Sequence, residues 1–227
     1  EDVYNSFSLG IGKDGLAGYP LIDVYLTGKE LKLAAEVDAS VSDFMTTARL
    51  YCSGLNFTFN PHRMILNKVT DCYLTREDGE RIEIQDDQLY RVVTDLYTGQ
   101  MLGSVMEMSY GLLKIEPKDK DGNPIENLED QAIMEGDKEL KAWDAIARYM
   151  KSFDDTDGNG ISNVPEYYET THGRKVVDES RNVIDLVKNP NKFSVMIVGI
   201  VLVLILIIIL LIVLIRKLIK KRRRKKK

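Results

Sequence analysis

Residues 195–215 constrain this chain more than any other stretch. They form 21 consecutive positions without a charged or polar side chain. As an α-helix rising about 1.5 Å per residue, the run spans roughly 31 Å, the depth of a bilayer's hydrocarbon core. A helix buried in a soluble domain rarely runs so long without one polar residue, so the run reads as a single transmembrane helix. Of the 12 residues that follow, 10 are Lys or Arg. Positive residues stay on the cytoplasmic side, which predicts a single-pass cell-membrane protein with residues 1–194 extracytoplasmic and 216–227 as a cytoplasmic tail. That tail has two readings: a grip on anionic headgroups, at about 1 kcal/mol per basic residue, or a plain stop-transfer signal.

Charge is segregated along the chain. The 227 residues carry a net charge of −4, but residues 1–194 hold 21 Lys or Arg against 35 Asp or Glu. A body with a net charge of −14 argues against nucleic acid as a partner, because phosphate contacts need clustered Lys and Arg. His62 and His172 are the only two histidines. That excludes a dinuclear metallohydrolase centre within this chain, since such sites draw on several imidazoles. Cys52 and Cys72 are too few for a disulfide scaffold or a zinc site. The chain opens at Glu1 without Met and without a charged-then-apolar leader, so its start is expected upstream.

The outer part reads as an α+β domain over residues 1–153. Residues 21–26 read as a strand, and Thr27-Gly-Lys-Glu30 as a capping box opening a helix that runs to about Ala48. Leu55, Phe57 and Phe59 alternate with Asn56, Thr58 and Asn60, as in a half-buried strand. Further strands are expected at 65–75, 81–85 and 89–95. Residues 118–136 read as an acidic surface loop, and Gly99 and Gly103 as turn glycines. Leu140, Trp143, Ile146, Ala147, Met150 and Phe153 mark an amphipathic helix. Residues 154–194 are expected to form an Asp-rich loop and a membrane-proximal stalk. If 54–60 and 65–75 form a hairpin, Cys52 and Cys72 face each other, either as a bridge or as two buried thiols.

Several of these pieces, in this order, resemble the C-terminal domain of the bacterial 5′-nucleotidase family. The resemblance lies in Gly18-Tyr-Pro-Leu-Ile-Asp-Val-Tyr-Leu-Thr-Gly-Lys-Glu-Leu31, Ser53-Gly-Leu-Asn-Phe-Thr-Phe-Asn-Pro61, Leu89-Tyr-Arg-Val-Val-Thr-Asp95 and Leu140-Lys-Ala-Trp-Asp-Ala-Ile-Ala-Arg-Tyr-Met150. It implies a layered α/β/β/α sandwich-like domain and a role in nucleotide catabolism. Family members pair such a domain, which supplies the nucleotide pocket, with an N-terminal metallophosphoesterase domain that holds two divalent metals. The resemblance therefore implies an upstream catalytic domain as partner and a nucleotide-like phosphate ester as substrate, and assigns no catalytic residue to this chain. The family sandwiches the base between two aromatics. One sits in a Gly-Gly-Asp-Gly-aromatic loop, where this chain reads Asp95-Leu-Tyr-Thr-Gly-Gln-Met-Leu-Gly103 and offers Tyr97. The other belongs to a Gly-Gly-x-aromatic turn, matched by Leu16-Ala-Gly-Tyr19 and so by Tyr19. Each tyrosine also reads as a packed loop or turn ring.

A second motif stands apart from that resemblance. Residues 155–166 fit D-x-[DN]-x-[DN]-G-x5-E, with Asp155, Asp157, Asn159 and Glu166 as side-chain ligands, Ile161 as a carbonyl donor and Asn163 acting through water. Ile161 sits one position early for an EF-hand and Pro165 blocks an immediate exiting helix, which favours an isolated extracellular calcium loop. The other reading is a solvated acidic turn. Two functions remain: the substrate-positioning half of a membrane-anchored 5′-nucleotidase-like phosphohydrolase, or a non-catalytic surface ligand-binding or adhesion module on the same fold. Fold alone does not choose between them.

Overall fold

The computed structural model describes residues 1–46, 49–109, 111 and 113–225. The architecture is α+β. In chain order the elements are α1 (Asp2–Phe7), β1 (Leu21–Thr27), α2 (Gly28–Val41), β2 (Leu55–Phe59), β3 (Val69–Thr75), β4 (Arg81–Glu83), β5 (Leu89–Asp95) and α3 (Leu96–Met108). They continue with β6 (Met134–Glu135), β7 (Lys138–Glu139), α4 (Ala142–Lys151), β8 (Lys175–Val177), α5 (Val183–Val187) and α6 (Lys192–Lys225). The chain forms two compact units. One gathers Glu1–Ala35, Leu50–Phe57 and Cys72–Lys175; the other gathers Glu36–Arg49, Thr58–Asp71 and Val176–Lys227.

The first unit is organised by β1. Its period of two buries Ile22, Val24 and Leu26 at 0%, 1% and 3% exposure, as β-branched and aliphatic residues on one strand face do. Its antiparallel partner is β5, in a register that sets Leu21 against Asp95 and Thr27 against Leu89. Leu26, Leu31, Ala34 and Ile115 form one buried cluster, and Ile22, Val24 and Leu96 another. The capping box is present: the Glu30 carboxylate accepts the Thr27 N–H at 2.8 Å and its hydroxyl at 2.7 Å, while the Thr27 hydroxyl accepts the Glu30 N–H at 3.3 Å. The helix it opens stops at Val41, short of the expected end, and Ala48 lies outside the described residues.

A second sheet has the order β4-β3-β2-β8. The Phe57 N–H donates to the Arg174 carbonyl and the Asp178 N–H to the Phe59 carbonyl, both bonds advancing in the same direction, so β8 runs parallel to β2. The strand expected at 65–75 begins only at Val69, because residues 61–68 turn and Leu66 takes a φ of 60°. Cys52 and Cys72 are half-buried and no disulfide joins them. Thr75 donates its N–H to the Gly54 carbonyl at 2.8 Å, so Cys52 lies past the level of Thr75 and not opposite Cys72. The loop expected at 118–136 is anchored to β1, with paired backbone hydrogen bonds between Lys118 and Tyr25 at 2.8 and 2.9 Å. Ile125 and Leu128 pack on the Ile22 cluster. In the second unit, the segment 178–193, expected as a loose stalk, carries α5 instead. It bonds back to Asn60 and Arg63 and buries Phe193 at 4% exposure. Among the described residues one helix, over Lys192–Lys221, is long and apolar enough to cross a membrane, its most apolar stretch of 18 residues having a mean hydropathy of 3.9.

Candidate functional site

The two tyrosines singled out in the sequence lie together in the first unit. Their ring centroids are 5.9 Å apart and the planes are inclined by 32°. Tyr19 is covered by Gly10, and the two residues before it are held by Trp143. Trp143, on α4, donates its indole N–H to the Ala17 carbonyl at 3.0 Å. The Trp143 ring lies so close to Gly18 that an added Cβ would fall 2.6 Å from Cδ1. Gly10, at φ 81°, covers the Tyr19 ring, and a Cβ there would fall 2.6 Å from Cζ. Only glycine supplies both that dihedral and that approach.

Tyr97 sits differently from the sequence reading. Residues 95–103 read as a loop in the sequence, but Tyr97 lies in the first turn of α3. Asp95 makes the helix start: its carboxylate accepts the Thr98 N–H at 2.9 Å and the Thr98 hydroxyl at 2.7 Å. Gly99 is accordingly no turn glycine. It lets α3 close onto β1, where a Cβ would meet Ile22 Cδ1 at 2.6 Å, while Gly103 has nothing within 4 Å. Tyr97 is 44% exposed and Tyr19 half-buried, so Tyr97 is the more open of the two rings. A base between two rings needs about 7 Å, twice the optimal carbon–carbon separation of about 3.5 Å. With centroids 5.9 Å apart and planes inclined by 32°, the two rings as they stand leave less than that.

An ionic frame fixes the turn before Tyr19, and no local sequence signal announced it. The Lys141 ammonium meets Asp14 Oδ1 at 2.8 Å and Glu139 Oε2 at 2.6 Å, all three side chains being less than a tenth exposed. Glu139 Oε1 also accepts the Lys13 N–H at 3.1 Å. The hydrogen bond from Lys141 holds the Asp14 carboxyl below its ordinary range. Burial works against the Lys141 charge, but Asp14 and Glu139 outweigh it and raise its pKa. Asp14 and Lys141 are 127 positions apart, a distance over which periodicity carries no information.

The Asp-rich loop is wound on itself. Asp155 accepts the N–H groups of Gly158 at 2.8 Å, Asn159 at 3.2 Å and Gly160 at 2.8 Å, and the Gly160 bond leads in holding its pKa low. Asp157 accepts the Asn159 N–H, Asn159 Oδ1 the Ile161 N–H, and Asn163 Oδ1 the Thr156 N–H. Glu166 opens a short 3₁₀ turn, Glu166–Glu169. The donors are hard oxygens of the kind calcium takes. Among the described residues, however, no three His, Cys, Asp or Glu side chains converge as a metal-binding group. The loop's oxygens are turned onto its own amides.

Residues 17–108 match the family described as 5′-nucleotidase, C-terminal domain. Among solved structures, the 5′-nucleotidase precursor from Thermus thermophilus is similar at 17% identity and a TM-score of 0.46, over 71% of this chain and 26% of that one. The NAD nucleotidase of Haemophilus influenzae is similar at 20% identity and a TM-score of 0.35, over 52% of this chain and 20% of that one. This chain thus spans about a quarter of the first protein's length and a fifth of the second's. No curated protein matches it. The matched segment begins two residues before Tyr19 and takes in β1, β5, α3 and Tyr97, so both tyrosines lie within the part of the chain, residues 17–108, that matches the 5′-nucleotidase C-terminal domain family.

Proposed function

We propose that this chain is the substrate-positioning C-terminal half of a membrane-anchored, extracytoplasmic 5′-nucleotidase-like phosphohydrolase. The observation that carries the reading is the Tyr19–Tyr97 ring pair, 5.9 Å apart within the segment that matches the family. Tyr19 is the half-buried wall and Tyr97 the more open one. A base entering between them gains two ring faces, and stacking of this kind contributes about 1–3 kcal/mol per base. Held there, a nucleotide's phosphate is presented to a metallophosphoesterase domain upstream, whose metal ions supply the activated water when bound. The chain's own contribution is orientation of the substrate. Residues 1–153 form the nucleotide-facing part, 154–194 lead to the membrane, 195–215 cross it and 216–227 remain in the cytoplasm. Residues 155–166 are proposed as a structural calcium loop on the strength of their all-oxygen donor spacing.

Trp143 is the only tryptophan and packs on Gly18, beside Tyr19, so its fluorescence reports on this site. Full-length protein in detergent micelles, titrated with AMP, is expected to change its emission and saturate. Tyr97→Ala should weaken that binding about fivefold to a hundredfold. A flat titration with AMP and with adenosine sinks the nucleotide reading and leaves the alternative, a non-catalytic surface ligand-binding or adhesion module.

A further inference from the structure

The second unit holds a cavity of about 210 Å³ lined by Asn60, Arg63, Val69, Thr70, Asp178, Asp185, Lys188 and Asn189. Arg63 is only 7% exposed. Its Nε donates to the Asn67 carbonyl at 2.7 Å, one terminal nitrogen to the Asp185 carbonyl and the other to the Lys188 carbonyl at 2.6 Å. A guanidinium carries five N–H donors, so these bonds leave two over. Among the described residues neither Arg63 nor Lys188 makes an ion pair, and neither Asp178 nor Asp185 does. A buried charge is normally paired, and Arg63 is the buried one here. Asp185 is half-buried and Asp178 and Lys188 are exposed, and the four line one cavity without pairing.

They are kept apart by the backbone. The carboxylates gather at Ser180: Asp178 accepts its N–H at 3.1 Å and Asp185 its hydroxyl at 2.7 Å. The Arg63 guanidinium sits on α5, donating to the carbonyls of both Asp185 and Lys188. The cavity is therefore lined by two cations and two carboxylates, with no net charge. An inorganic anion would be repelled by the carboxylates and a simple cation by the cations. A ligand carrying both charges satisfies both.

We propose that this cavity binds a zwitterionic phosphate ester, a phosphate bearing an ammonium arm, with the phosphate at Arg63 and Lys188 and the ammonium at Asp178 and Asp185. The ligand has two possible sources, a lipid headgroup or a free phosphoamine. The headgroup source rests on the membrane reading above. Lys188 and Asn189 line the cavity, and α6 begins three residues later at Lys192, with the Asn191 side chain accepting the N–H groups of Phe193 and Ser194. On that reading the cavity opens at the depth of the headgroups.

Full-length protein in maltoside micelles is titrated calorimetrically with O-phosphoethanolamine and, separately, with inorganic phosphate. Saturable binding of phosphoethanolamine at least about tenfold tighter than phosphate, the difference one charge-assisted contact makes, is the expected result. Lys188→Gln should weaken it by a similar factor, and Asp178→Asn should remove the preference over phosphate. Both side chains are exposed, so neither variant threatens the fold as loss of Arg63 would. Equal affinity for the two probes, or no heat from either, overturns the proposal, as does binding that neither variant changes. Native mass spectrometry from nanodiscs of mixed phosphatidylethanolamine and phosphatidylglycerol then separates the sources. Retained phosphatidylethanolamine, lost in Asp178→Asn, assigns a headgroup; phosphoethanolamine binding with no retained lipid assigns a free ligand. A chain that binds phosphoethanolamine yet stays soluble without detergent removes the membrane reading while the site stands.

Discussion

At the scale of single residues, the site depends on close approaches that only glycine permits. Gly10 combines a positive φ with ring contact on Tyr19. Gly10→Ala should therefore cost about 1–3 kcal/mol, for the strained dihedral and the displaced ring, and should weaken AMP binding through Tyr19. Chemical denaturation with the Trp143 titration in parallel checks both. Glu30 sets a pH dependence. Burial alone would raise its pKa, but the Lys118 ammonium at 2.6 Å, with the Thr27 N–H and hydroxyl and the Glu116 N–H, brings it below the ordinary 4.5. A depressed carboxyl stabilises the fold above its unfolded pKa, and that stability is lost as the pH falls through the folded value. Wild type should lose stability below about pH 4.5 more steeply than Glu30→Gln, which lacks the titrating group, in melts across pH 3–6. The capping pair was legible because its partners are three residues apart. The Lys141 frame was not, since its partners meet only when distant segments pack.

At the scale of elements, amphipathic periodicity located β1, β2, β5 and α4; the buried face of β1 follows the strand repeat, whereas β2 buries Asn56 between Leu55 and Phe57 and α4 buries no residue fully. The start of α3 escapes such reasoning. Asp95-Leu-Tyr-Thr98 carries a capping signal, but the glycines at 99 and 103 argue for a loop, and the close packing on Ile22 that makes Gly99 necessary lies outside any local window. The Asp-rich loop has an equally local pattern whose consequence is a binding question. Calcium at one hundred times its dissociation constant adds about 2.7 kcal/mol to the folded state, raising the melting temperature by about 5–10 °C. Melting curves of the full-length protein in EDTA and in millimolar calcium check this. Asp157→Ala should abolish the shift, while Asp154→Ala, outside the ligand set, should leave most of it. Coincident curves would make the loop a turn closed by its own amides.

At the scale of the whole molecule, charge and hydropathy divide the chain into an acidic body, an apolar helix and a basic end. After expression in cells, the full chain should stay with membranes through an alkaline carbonate wash, and deletion of residues 195–227 should release it. An epitope placed after Lys227 should be reached by antibody only in permeabilised cells; labelling of intact cells would reverse the orientation. These expectations follow from residue order alone, because a hydrocarbon core rejects unpaired polar groups whatever the fold around them. The sequence by itself likewise determined the capping box and the buried face of β1, since each is a relation between residues a few positions apart. Only the tertiary structure decided that Tyr19 meets Tyr97, that Lys141 closes on Asp14 and that Arg63 lies buried on the carbonyls of Asp185 and Lys188. Those relations join segments dozens to more than a hundred residues apart, and their partners are selected by packing, which no periodicity along the chain encodes.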